Sequence, residues 1–203
     1  MDWCFGLASL SDEGLMKRDV VKISYRCGLQ GWCPGTLGNI SLFSSKSKRV
    51  YIKRSGADLN TLELDDVLSL DLDGNVLDGI GEPSKELGFH LGIYKNREDV
   101  IAVFHVHPSY VTAYAVAGKR LPMVTEAAKI VLVDVPLIGS APPGSNELAT
   151  KVIDGFKDPN VKAVLIKDHG LVAVGENLNS AYHVVSLVED TAKIAFLSSL
   201  IRK

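Results

Sequence analysis

The chain has 203 residues, 46% of them hydrophobic, and carries 22 Lys/Arg against 24 Asp/Glu for a net charge of −2. That length and apolar content suit a single domain spanning 1–203 with a substantial core, and the balanced charge, with no extended Lys/Arg run, leaves no footprint for nucleic acid. No uninterrupted apolar stretch approaches the roughly 20 residues of a membrane span, and Met1-Asp-Trp-Cys-Phe5 lacks the basic start of a secretion signal, so a cytoplasmic protein with no membrane partner is expected. Cys4, Cys27 and Cys33 are odd in number without C-x-x-C spacing, which reads as reduced thiols rather than a disulfide frame.

In chain order, Ser11 stands to cap a helix over 11–29, with Leu15, Val20, Val21 and Ile23 near helical spacing. Gly31, Pro34, Gly35 and Gly38 then forbid a regular element over 31–38 and let the backbone approach something closely. A strand over 39–43 pairs with one over 49–53 across a polar turn, and 54–58 forms a second tight loop carrying the Ser55 hydroxyl. A helical turn over 62–66 leads into a strand over 67–72 and an Asp73-Gly74 turn. Pro83-Ser84 sets a helix start, with Ser84 as N-cap and Glu86 in the first turn, and Leu87, Leu91 and Tyr94 form its apolar stripe. Glu86 and His90 are four apart and share a face.

The apolar run 101–106 reads as a strand stopped by Pro108, which opens a helix to about Val116. A short helix over 124–130, a strand over 132–137, a Pro/Gly loop over 139–144 and a helix over 146–156 follow. A strand over 161–166 delivers His169 into a turn, 170–175 returns as its hairpin partner, and a helix over 180–201 closes the chain. Strands interspersed with helices predict an α/β layer structure around a mostly antiparallel sheet.

Side chains two apart on a strand share a face, so His105 and His107 aim at one point and form half a transition-metal site. His169 is the best third ligand and Glu86 the best acid beside it. Three histidines without a firm fourth ligand describe an open Zn²⁺-type site able to polarise a carbonyl oxygen, with iron, manganese or cobalt as alternatives. The cupin pattern also begins with His-x-His, but it wants a glutamate about where Val111 and Thr112 stand. A first-turn acid such as Glu86 is favoured by the helix dipole alone; beside a cation it gains the roles of ligand and proton-transfer group. His90 and His183 read as packing residues. Thr36, Asn39, Ser55 and Ser84 each stand where a loop meets a regular element, which fits an anion nest for a phosphate as well as plain turn chemistry.

Gly35-Thr-Leu-Gly-Asn-Ile-Ser41, Ser55-Gly56, Glu82-Pro-Ser-Lys-Glu86, His90-Leu-Gly-Ile-Tyr94, His105-Val-His107 and Asp168-His-Gly-Leu-Val172, in this order, resemble the class II, zinc-dependent sugar-phosphate aldolase and adducin family. The resemblance implies a three-layer α/β/α sandwich and a homotetramer with active sites between neighbouring subunits. It implies zinc on His105, His107 and His169, with Glu86 as resting ligand and then proton carrier. It also implies retro-aldol cleavage of a small phosphorylated ketose, with Thr36, Gly38, Asn39, Ser55, Gly56 and Ser84 at the phosphate. Glutamate at position 86 favours the family's L-fuculose-1-phosphate aldolase side over its L-ribulose-5-phosphate 4-epimerase side, which carries aspartate there. Three departures stand out: Lys85 replaces a small hydroxyl residue, Arg54 replaces a small residue or proline, and no tyrosine follows Tyr182. Lys85 suits a carboxylate, so decarboxylation of a 3-oxo sugar-acid phosphate is the alternative, followed by 4-epimerisation and by a non-catalytic adducin-like module.

Overall fold

Successive strand residues face opposite sides of a sheet, so a strand that is apolar on both sides needs helices on each. Residues 102–106 are such a strand: Ala102, Phe104 and Val106 join one core cluster and Val103 joins another. In the computed structural model, which describes residues 11–201, the elements run α1 (Asp12–Leu29), β1 (Asn39–Ser44), β2 (Arg49–Lys53), a 3-10 turn (Leu64–Asp66), β3 (Val67–Leu70), β4 (Val76–Asp78), α2 (Leu87–Asn96) and β5 (Ala102–Val106). They continue through α3 (Ser109–Val116), α4 (Glu126–Val131), β6 (Leu137–Ile138), α5 (Asn146–Gly155), β7 (Ala163–Ile166), β8 (Gly170–Gly175) and α6 (Leu178–Ile201).

All eight strands form one sheet in the order β4-β3-β2-β1-β5-β8-β7-β6. Only the β6–β7 pair is parallel. Helices α1, α3, α4 and α6 send Val20, Val111, Ala128 and Val188 into the cluster on one face, while α2 and α5 send Phe89 and Leu148 into the cluster on the other. The result is the expected three-layer α/β/α sandwich around a mostly antiparallel sheet. Ser11 caps α1 as expected, accepting from the Gly14 N–H at 3.1 Å. Cys27 and Cys33 are buried free thiols, and burial pushes both up, Cys33 to about 12. Cys4 lies outside the described residues.

The strand expected over 132–137 is a correction: only Leu137 and Ile138 pair, in register with Leu165 and Ile166. Helix α4 runs to Val131, and Val133, at φ 58°, turns the chain so that the Asp134 N–H donates to the Leu132 carbonyl at 2.6 Å. The apolar run there is spent on the end of a helix and a tight turn. Strand β3 stops at Leu70, short of the expected 67–72, and β4 is exposed throughout and carries no alternation for the sequence to reveal.

Candidate active site

Strand β5 runs between β1 and β8, and its His105 stands directly opposite Asn39 on β1 and Val172 on β8. Period two therefore turns His105, Asn39 and Ser41 toward the face covered by α2. The buried His105 ring donates from Nδ1 to the Leu171 carbonyl at 3.1 Å, which fixes its tautomer and leaves Nε2 bare. His107 follows the end of the strand, its N–H held by the Trp32 carbonyl at 2.8 Å. His169 comes from the β7–β8 hairpin turn, where Asp168 adopts φ 59° and the His169 N–H donates to the Ile166 carbonyl at 3.1 Å. Gly170 follows because nothing larger fits: a Cβ there would lie 2.7 Å from His107 Cδ2 and 2.9 Å from the Val106 carbonyl oxygen. The potential ligand atoms of His105, His107 and His169 all lie within 4.8 Å of one another.

Glu86 corrects the expected helix start. Helix α2 begins at Leu87, so Glu86 is its N-cap residue rather than part of the first turn, and Ser84 is not the cap. Ser84 instead forms a turn, its carbonyl accepting from the Leu87 N–H at 3.0 Å and its hydroxyl from the Glu86 N–H at 3.4 Å. The Glu86 carboxylate caps nothing. It faces the histidines, with Oε2 3.2 Å from His105 Nε2 and Oε1 3.5 Å from His169 Nε2.

Burial above all, with neighbouring imidazoles adding to it, pushes His105 and His107 down to about 3. Both are neutral near pH 7, so the contact between His105 and Glu86 is not an ion pair. It brings a bare ring nitrogen against a carboxylate oxygen, two acceptors face to face. Glu86 Oε1 and His107 Nδ1 are also buried without a hydrogen-bond partner among the described residues. A pocket rich in acceptors and short of donors fits a divalent cation.

The three loops expected to hold a phosphate meet at the same end of the sheet. Lys53, the only buried lysine among the described residues, donates to the Thr36 carbonyl at 2.8 Å and the Ala57 carbonyl at 2.7 Å, tying the first loop to the second. The Ser55 N–H donates to the Glu82 carbonyl at 2.7 Å, and Arg54 bridges to Pro83, tying the second to the third. Thr36 and Gly56 are exposed at the rim, Ser84 is buried, and Gly38 adopts φ 80° with room for no Cβ, which would lie 2.9 Å from the His105 carbonyl oxygen. Lys85 is exposed and forms no ion pair among the described residues.

Asn39 differs from expectation: its side chain points inward, Nδ2 donating to Glu86 Oε2 at 3.0 Å and Oδ1 facing His90 Nε2. Sequence reasoning assigned His90 to packing and passed over Lys53. Their signals were a histidine one helical turn beyond the acid, and a lysine closing an apolar strand. Burial pushes the Lys53 ammonium down, while nearby Cys33, Asp58 and Glu86 oppose that shift.

A family model described as Class II Aldolase and Adducin N-terminal domain matches residues 18–196. The chain is 32% identical over 177 residues to an L-fuculose phosphate aldolase of Methanococcus maripaludis, an alignment covering 87% of this chain and 94% of that one. It is 33% identical over 183 residues to a 5-deoxy-D-ribulose 1-phosphate aldolase of Bacillus thuringiensis serovar kurstaki, covering 89% and 84%. A solved L-fuculose 1-phosphate aldolase shares the fold at a TM-score of 0.85 and 30% identity, covering 96% of this chain and 90% of that one. With the trio of histidines, the inward-facing glutamate and matches running nearly end to end, the chain belongs to the class II aldolase and adducin family.

Proposed function

We propose that this protein is a metal-dependent lyase that cleaves a small phosphorylated ketose by retro-aldol chemistry, in the manner of an L-fuculose-1-phosphate aldolase. The observation that carries this reading is the carboxylate of Glu86, 3.2 Å from His105 and 3.5 Å from His169 with Oε1 unpartnered. A module kept only for its fold has no physical need for that arrangement, which argues against an adducin-like interaction role. His105, His107 and His169, joined by Glu86 before substrate arrives, would hold a divalent first-row cation, and the nitrogen-rich donor set favours Zn²⁺. Such a cation, when bound, supplies a Lewis acid for the carbonyl and hydroxyl oxygens of the ketose.

The rest falls to the chain's own side chains. As the ketose hydroxyl becomes the aldehyde C=O its proton passes to Glu86, the carbon–carbon bond breaks with its electron pair left on the carbon beside the carbonyl, and Glu86 then delivers that proton to this carbon. Thr36, Gly38, Ser55, Gly56 and Ser84 bind the phosphate, supported by the hydrogen bonds that join their loops and by the Lys53 charge beneath them. The Asn39 side chain donates to Glu86 Oε2 at 3.0 Å. Apolar surface for a homotetramer is available at Val116, Ile130 and Val133, and again at Phe196 and Leu200.

Glu86→Gln tests the assignment. Elemental analysis should find bound metal retained, while turnover of L-fuculose 1-phosphate falls at least about a thousandfold. Turnover within a few fold of the wild type would remove Glu86 from its role. The exposed ammonium of Lys85 beside Glu86, without an ion pair among the described residues, favours one second reading, decarboxylation of a 3-oxo sugar-acid phosphate whose carboxylate Lys85 would grip.

A further inference from the structure

Beneath Glu86 runs a buried chain of polar side chains to which the reading above gives no task. The Tyr94 hydroxyl lies 2.7 Å from Ser41 Oγ, Ser41 Oγ 2.7 Å from His90 Nδ1, His90 Nε2 2.5 Å from Asn39 Oδ1, and Asn39 Nδ2 3.0 Å from Glu86 Oε2. Tyr94, Ser41, His90 and Asn39 are all buried. Asn39 and Ser41 share the face of β1 that lies under α2, and α2 carries His90 and Tyr94 one turn apart. Polar side chains buried beside an apolar cluster cost stability unless each is paired, and here every one is.

The chemistry of these groups allows donation in one direction only. Asn39 has a carboxylate on one side and an imidazole on the other. Only its NH₂ can face the carboxylate without repulsion, so Oδ1 faces His90 and accepts. His90 Nε2 therefore carries the ring proton. Burial, with His105 nearby, keeps the ring neutral by pushing it down to about 3, so Nδ1 is a lone pair and accepts from the Ser41 hydroxyl. Ser41, its one proton committed, accepts from Tyr94. Donation thus passes from Tyr94 through Ser41, His90 and Asn39 and ends on Glu86 Oε2.

We propose that this chain makes His90 a positioning residue, which commits Glu86 Oε2 to accepting from Asn39 and leaves Oε1 as the oxygen that gives and takes the proton. A proton on Oε2 would have to displace the Asn39 N–H or point at the histidines. Oε1 has no hydrogen-bond partner among the described residues and lies 3.5 Å from His169 Nε2. In the cleavage direction Oε1 first takes the proton of the ketose hydroxyl as its C–O becomes C=O; the Oε1–H bond then breaks, its electron pair stays on Oε1, and the proton forms the new C–H bond. The inference rests on Glu86 being the proton-transfer group.

Two measurements test it. Nitrogen-15 spectra of zinc-loaded, histidine-labelled protein should show His90 as the Nε2–H tautomer with a bare Nδ1; an Nδ1–H ring would overturn the proposal. That readout does not depend on turnover, so its failure is distinguishable from failure of the Glu86→Gln test. In kinetics on L-fuculose 1-phosphate, His90→Phe should lower kcat about a hundredfold per metal-loaded molecule with KM within about threefold, the cost of a slightly misplaced catalytic group. His90→Gln, whose amide can accept from Ser41 and donate to Asn39, should recover at least about a tenfold share of that loss. A His90→Phe protein that loses thermal stability while its kcat stays within about threefold would show packing alone and overturn the positioning role.

Discussion

Gly170 measures how little space separates the hairpin carrying His169 from the strand carrying His105. A methyl group there meets His107 Cδ2 at 2.7 Å and the Val106 carbonyl oxygen at 2.9 Å, and backbone cannot move aside as a flexible side-chain tip can. Gly170→Ala should therefore displace the His107 ring and weaken metal binding at least about tenfold while leaving the fold intact. Competition against a chromophoric chelator reads this directly, and unchanged affinity would mean that the hairpin yields. At this scale the sequence showed the histidine trio and hid its supports. His105 and His107 were legible because a two-residue repeat on a strand has a direction. Asn39, His90 and Lys53 were not, because their roles are set by what faces them across β1, α2 and the loops, which no local pattern records.

Helix α3 has a start that its own residues cannot supply. Its N-cap is Pro108, which offers no side-chain oxygen, so the first turn would carry unsatisfied N–H groups. Glu189, from α6, fills the gap: Oε1 accepts from the Tyr110 N–H at 3.0 Å and Oε2 from the Val111 N–H at 2.8 Å. A carboxylate at a helix N-terminus is doubly favoured, by these bonds and by the helix dipole. Glu189→Ala should cost about 2 kcal/mol in urea unfolding, and a change below about 0.5 kcal/mol would mean that water replaces it fully. Because α3 follows His107 and Pro108 directly, this clamp also fixes the direction in which the chain leaves the site. Pro108 did signal a helix start, but nothing near it signalled a cap from a helix near the far end of the chain. Elements with their own caps and turns, α1 and the β7–β8 hairpin among them, were legible for the opposite reason.

At the scale of the molecule, the site's buried neutral imidazoles couple the fold to pH. His90, His105 and His107 are each pushed down to about 3, chiefly by burial, against roughly 6.5 in an unfolded chain. Between those values the unfolded chain binds more protons than the folded one, so stability rises with pH across the window. Stability from this source is complete above pH about 6.5 and is lost as pH falls toward 3. Urea midpoints of metal-free protein should therefore drop between pH 7 and 4.5; a constant midpoint would mean that the rings are not held neutral. Layering and antiparallel pairing could be anticipated from the chain, since β1 and β2 and then β7 and β8 are joined by short turns. The strand order could not, because β5 enters between β1 and β8 without any local mark. That interior seat separates two kinds of change. His105 sits on a strand zipped to neighbours along both edges, with no local fraying route, so its place is lost only with the sheet. The exposed rim at Thr36, Gly56 and Lys85 carries no such burden. Substitutions there can therefore be made without drawing on the stability that keeps the imidazoles together.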